Sequence, residues 1–193
     1  MVLEQALEGH GLSPLAGSEA GVRVNEGTAS LGPDPDSALR RRLAAVRPAA
    51  DVRMLADVRV GDTGGADVRV PAADIDAHLP VITEPLQAYT AAGPRAVPFN
   101  RLVDAFRAVE PAMIQVRGDF VGLYGAIEVQ ALDGPVLADR DYRVEGRVLA
   151  LSETPKTELI WYEATLAHAA GVAPVASFLH MSRLLKASSP LWA

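Results

Sequence analysis

Two hydrophobic periods divide this chain. Over residues 98–109 the string PFNRLVDAFRAV sets Phe99, Leu102, Val103, Phe106 and Val109 at i, i+3, i+4, i+7 and i+10. That spacing predicts one amphipathic helix, with Asn100, Arg101, Asp104 and Arg107 on its polar side. From there to about residue 186 the pattern predicts long strands. Residues 120–131 place Val121, Leu123, Ile127 and Val129 on one face and Phe120 and Tyr124 on the other. Gly118, Gly122 and Gly125 interrupt this region, as glycines do at bulges or close backbone approaches. Residues 142–151 alternate with Tyr142, Val144, Gly146, Val148 and Ala150 on one side, and SETPKT at 152–157 reads as the hairpin connection. ELIWYEATL continues as a strand, AHAAGVAP turns, and VASFLHMSRLLKAS closes the meander. Phe178, Met181, Leu184 and Leu185 also fit a helix, but a final strand completes the sheet.

The first half is punctuated differently. Residues 1–35 are rich in Gly, Pro and Ser and predict a loose arm after a short helix at 3–9. A helix over 36–47 is capped by Asp36 or Ser37 and stopped by Pro48, with Leu39, Leu43 and Val46 inward. Alternation over 52–60 predicts a half-buried strand, GDTGG at 61–65 a turn, and residues 67–70 a short strand pairing back. Thr83, Glu84 and Pro85 make a helix start with Leu86 and Tyr89 on one face. Pro111 ends the main helix, and 112–118 reads as a short strand. The expected organisation is an N-terminal extension over 1–50 and one α+β domain over 51–193.

Composition narrows the chemistry. A net charge of -6 disfavours a nucleic-acid binder, because phosphate contacts need clustered Lys and Arg. Arg40, Arg41, Arg42 and Arg47 do cluster, but helical spacing spreads them over the outer face of 36–47. With no cysteine in the chain, disulfides, thiolate nucleophiles and Cys-based zinc sites are excluded. No stretch is apolar over the length of a bilayer, so a cytoplasmic protein without membrane contact is expected. The four histidines nowhere reach metal-ligand spacing, GDTGG lacks the lysine of a phosphate loop, and no Gly-x-Ser-x-Gly elbow occurs. Neither a metal nor a cofactor is expected.

The string DRDYRVEGRVLALSETPKTELIWYEATL at 139–166, continuing into VASFLHMSRLLKAS, resembles the later strands of hotdog-fold thioesterases and MaoC-like dehydratases, where a Tyr-x-Val-x-Gly-x-Val phrase recurs. The resemblance covers about residues 95–187. It implies an antiparallel sheet wrapped around the 98–109 helix, an acyl thioester of coenzyme A or acyl carrier protein as ligand, and a homodimer with sites at the subunit interface. It also implies that backbone N–H groups at the start of the central helix polarise the thioester carbonyl. A helix N-terminus has the unpaired donors and partial positive charge to do so. Here those donors belong to Phe99, Asn100 and Arg101.

The family's acid-base signatures are absent. In place of Asp-x-x-x-x-His with an internal Asn-Pro stands Asp74-Ile-Asp76-Ala-His78, and Asp-x-x-Gly-His-Val-Asn does not occur. The carboxylates available on the central helix are Asp104 and Glu110, with Asp104 one turn past Asn100. The candidate catalytic residues are therefore Asp104, Asn100 and His78, and the candidate substrate contacts are Phe99, Arg101, Tyr89 and Tyr124. Each has a plainer alternative. Asp104 can pair with Arg101 or Arg107 on an exposed face, Asn100 can bond its own backbone, His78 can be a loop histidine, and Tyr89, Tyr124 and Tyr162 can fill the core. His180, in an apolar run, reads as a packed histidine. Thioester hydrolysis is the expected activity. The alternatives are hydration or dehydration of an acyl thioester, a non-catalytic ligand-binding or scaffold protein, and a cone-shaped α+β barrel of the ketosteroid-isomerase kind.

Overall fold

In the computed structural model residues 34–82 and 86–193 are described, and Asp36–Ala193 forms one compact unit. Five strands, β1 (Thr63–Val68), β2 (Gly122–Ala131), β3 (Tyr142–Glu153), β4 (Thr157–His168) and β5 (Pro174–Leu185), make one sheet in the order β1-β3-β4-β5-β2. All neighbours pair antiparallel. The three long strands are joined by the two predicted connections, and the final segment is a strand. The helical elements are α1 (Ala38–Ala44), α2 (Ala72–His78), α3 (Gln87–Thr90), α4 (Phe99–Arg107) and α5 (Glu110–Met113).

The central helix predicted over 98–109 is α4, and α5 follows beyond its predicted end. Pro111 removes an N–H and ends the α4 ladder, yet proline is tolerated in the first turn of a helix, so the chain restarts as α5. The strand expected over 112–118 is displaced by this extra turn. Val103, Phe106, Val109 and Met113 are buried, and the Phe106 and Phe178 rings stack at 4.9 Å, which seats the helix on the sheet. Phe99 falls outside the stripe and is 55% exposed, while Ala105 is buried instead. On β3, a Cβ at Gly146 would lie 2.9 Å from Val109 Cγ1 and 3.1 Å from Met113 Sδ. The missing side chain lets the α4–α5 junction rest on the strand, and that contact positions Glu110.

Two bulges change the expected strand faces. One follows Tyr124 in β2, where a Cβ on Gly125 would meet the Met181 backbone oxygen at 2.9 Å. It brings Tyr124 onto the helix-facing side with Ile127 and Val129, against the predicted split. The other follows Val148 in β3 and turns Ala150 to the opposite face, where it packs with Leu159, Trp161 and Met181. Leu39, Leu43 and Val46 cover that second cluster, so α1 shields the outer face as its stripe predicts. Ser37 caps it by accepting from Arg40 N, and the helix ends before Pro48.

The alternation over 52–60 does not make a strand. The buried Glu158 carboxyl accepts the N–H groups of Arg53, Met54 and Leu55. In a strand successive N–H groups point to opposite sides, so three donors converging on one group require a turn. Met54, Leu55 and Val58 are buried by that turn. The GDTGG segment is likewise not the turn itself: Asp62 N donates to Arg59 O, and β1 already begins at Thr63. The helix α2 occupies a stretch for which the pattern predicts no element. The predicted helices at 3–9 and at Thr83 fall on or begin at residues outside those described.

Candidate functional site

Glu110 opens α5 and joins polar groups from the helix and the sheet. Arg107, three residues earlier, forks onto it with Nε 2.8 Å from Oε1 and Nη2 2.8 Å from Oε2. This planar two-bond geometry is the strong form of an Arg–carboxylate pair. From β4 the Tyr162 hydroxyl donates to Glu110 Oε1 at 2.6 Å. His180 stands opposite Tyr162 in the β4–β5 register, its Nδ1 3.0 Å from the same hydroxyl. From β2, the Tyr124 hydroxyl accepts a bond from Arg107 Nη1 at 2.7 Å.

Donor accounting fixes the state of this chain. Tyr162 spends its proton on Glu110, so its oxygen accepts from His180 Nδ1–H, and the neutral imidazole keeps its lone pair on Nε2. That atom is buried without a hydrogen-bond partner. Burial pushes the His180 imidazole down to about 4, and burial, reinforced by Glu110, pushes the Tyr162 phenol well above its ordinary range. Hydrogen bonding to Glu110 raises Arg107 further, keeping it cationic. Tyr162 is therefore a permanent donor and His180 a neutral one at pH 7.

Three of these groups border a cavity of about 190 Å³. Glu110, Arg107 and Tyr124 line one side, with Ile160, Ser182 and Leu184 among the others. Glu110 Oε2 accepts only from Arg107, which leaves acceptor capacity on that oxygen. Tyr124, having accepted from Arg107, has its own proton free to donate. A carboxyl acceptor, a cation and a hydroxyl donor thus meet beside an apolar space, the usual makeup of a small-molecule site.

No protein-family model matches the chain, and no curated protein matches it. Among solved structures, the MaoC-like dehydratase from Rhodospirillum rubrum aligns with a TM-score of 0.50 at 17% identity, over 69% of this chain and 97% of that one. The unliganded R-hydratase PhaJ1 from Pseudomonas aeruginosa aligns with a TM-score of 0.51 at 17% identity, over 67% of this chain and 84% of its own. This chain has the hotdog fold.

In this hotdog protein Asp104 is paired with Arg101 on an exposed stretch of α4. Asn100 is exposed and accepts from Arg101 N through Oδ1. His78 is half-buried at the end of α2, its ring nitrogen near Asp74 O at 3.1 Å. Phe99, Arg101 and Tyr89 also lie outside the cavity lining, whereas Tyr124 is part of it. Glu110 is legible as a helix carboxylate, but its partners are not. Tyr162 and His180 sit 52 and 70 positions away on separate strands. The available signal is the inward row of β5, Phe178, His180, Ser182, Leu184, which turns polar in its middle.

Proposed function

We propose that this protein binds an acyl thioester in the Glu110 cavity and hydrolyses it. The observation that carries the reading is Glu110 itself, oriented by Arg107 and Tyr162 with one oxygen left to accept a proton beside the cavity. In this mechanism the acyl group lies over Ile160 and Ser182 while the thioester carbonyl receives the Tyr124 O–H. Water attacks the carbonyl carbon and gives its proton to Glu110 Oε2. Negative charge gathering on the carbonyl oxygen is balanced by Tyr124 and the Arg107 cation behind it. The C–S bond then breaks, the thiolate recovers the proton from Glu110, and a carboxylic acid and a thiol leave. Positioned acid-base groups of this kind contribute about 10²–10⁴-fold.

The family signatures missing around Asp74 and His78 weigh against hydration or dehydration by the usual dyad, although the two aligned proteins carry those names. Homodimerisation is part of the proposal. Leu123 and Tyr124 on the edge strand β2, and Phe120 and Val121 just before it, are exposed between 44% and 56%, and an unpaired apolar edge favours pairing with a second copy. No helix among the described residues is long and apolar enough to cross a membrane, and we assign the protein to the cytoplasm as part of the same reading.

The test is thiol release from short acyl-CoAs by Glu110→Gln and Asp104→Asn side by side. Loss of about a hundredfold or more in Glu110→Gln alone supports this assignment. A comparable loss confined to Asp104→Asn returns the base to the first turns of α4, and binding without turnover in the unaltered protein selects a ligand-binding role.

A further inference from the structure

One polar group of the cavity has no partner among the described residues. Arg107, Glu110, Tyr124 and Ser182 are the polar side chains of its lining, and the remainder is aliphatic, aromatic or glycine. Arg107 gives Nε and Nη2 to Glu110 and Nη1 to the Tyr124 hydroxyl. In the mechanism above, Glu110 Oε2 takes the proton of water and the Tyr124 O–H meets the thioester carbonyl. Ser182 has no task there, and none of the described residues hydrogen-bonds its hydroxyl.

The sheet register explains the lack. Ser182 sits on the inner face of β5, directly opposite Ile160 of β4 and Tyr124 of β2. Side chains facing each other across a ladder are about 5 Å apart at Cβ, and same-face neighbours along a strand about 7 Å apart. Ile160 and, along the strand, Leu184 have no hydrogen-bonding side-chain atom. Tyr124 carries its hydroxyl away to Arg107 Nη1 at 2.7 Å, and His180, the other same-face neighbour, turns Nδ1 to the Tyr162 hydroxyl at 3.0 Å. Ser182 thus sets one donor and two acceptor sites beside an aliphatic floor. Solvent entering the partly open cavity serves them in the free protein.

We propose that the Ser182 hydroxyl determines specificity, selecting acyl groups that carry an oxygen where the chain crosses Ser182 over plain alkyl chains of the same length; the inference rests on the thioester reading above. An alkyl chain laid over Ile160 and Ser182 displaces the solvent and returns no hydrogen bond, so the hydroxyl is desolvated without compensation. A chain with a hydroxyl oxygen at that depth restores the bond. It fills nearly the same volume, because the oxygen takes the place of one carbon. Discrimination then comes from the penalty on the wrong ligand, as in sites built to hydrogen-bond a substrate hydroxyl. Glu110, Arg107 and Tyr124 keep their partners in both cases, so the selection is separate from the hydrolytic step.

Calorimetry on matched pairs of coenzyme A thioesters tests this without requiring turnover: hydroxyacetyl against propanoyl, 3-hydroxypropanoyl against butanoyl, and 4-hydroxybutanoyl against pentanoyl. Within each pair an oxygen replaces the terminal carbon, and from pair to pair it moves one carbon further along the chain. In the wild type the pair whose hydroxyl reaches Ser182 should favour the hydroxylated member. Ser182→Ala removes the hydroxyl and leaves a methyl on the floor, so the affinity ratio of that pair should shift towards the alkyl member by on the order of tenfold. Ser182→Thr keeps a hydroxyl at the position and should keep the preference. Alkyl members that bind more tightly in all three wild-type pairs, or ratios that are unchanged in Ser182→Ala, overturn the role of Ser182 while leaving the thioester site intact. Absence of binding by every member overturns the thioester reading, and this inference with it.

Discussion

The Tyr162 hydroxyl donates to Glu110 Oε1 at 2.6 Å while lying 3.0 Å from His180 Nδ1, so one oxygen joins the helix to two neighbouring strands. Tyr162 and His180 are buried, and Glu110 touches the cavity. In a polar chain of this kind inside an apolar core, removing one member leaves buried neighbours without a partner.

Tyr162→Phe should therefore cost about 1–3 kcal/mol of stability, because it leaves His180 Nδ1–H and one face of Glu110 without their partner. Urea denaturation measures the loss. A change well below 1 kcal/mol with wild-type thiol release would mean that water takes the hydroxyl's place and that Tyr162 does not orient Glu110.

His180 supplies a pH dependence with a definite sign. Its ordinary value is 6.5 and burial lowers it to about 4 in the fold, so between those values the unfolded chain binds the extra proton and the native protein does not. Stability should fall as pH drops from 6.5 towards 4, by on the order of 3 kcal/mol from this group. Denaturation midpoints across that range, compared between the native protein and His180→Gln, read the slope. An identical slope in the variant would assign it to other groups.

Much of this architecture is written in local pattern, and the site is not. The helix over 98–109 and the strands from 142 to 185 are legible because each buries one face, and their periods differ. The reading fails where a distant residue overrules the period: Glu158 bends residues 53–55 into a turn although Val52, Met54, Val58 and Val60 alternate. It fails again at bulges, since one extra residue after Tyr124 or Val148 reverses every face beyond it. The polar cluster is hidden for the same reason. Tyr162 and His180 each look like ordinary core positions on their own strand, and only pairing across β4 and β5 under Glu110 brings them together.

Glu158→Gln tests that override. Replacing one carboxyl oxygen by an amide sets an N–H group against backbone donors, so a loss of about 2–4 kcal/mol is expected, near the upper end for hydrogen bonds to a charged-type group with a donor left unpaired. Hydrogen exchange should localise the damage, with the Met54 and Leu55 amides losing protection before those of β4. Uniform loss over the sheet would contradict a role confined to the 53–55 turn.

Gly146 makes the last prediction, because it decides how closely the helix end approaches the sheet. Gly146→Ala sets a methyl 2.9 Å from Val109 Cγ1 and 3.1 Å from Met113 Sδ, and overpacking of this sort costs about 1–3 kcal/mol. Since Val109 immediately precedes Glu110, the relief of that clash displaces the carboxyl from Tyr162. Turnover should then fall more than acyl-CoA affinity does. Adding Val109→Ala empties the space the new methyl needs, so the double variant should be more stable than the sum of the single losses by about 0.5–3 kcal/mol, with turnover partly restored. Strict additivity in both readouts would place the Gly146 contact outside the path that positions Glu110.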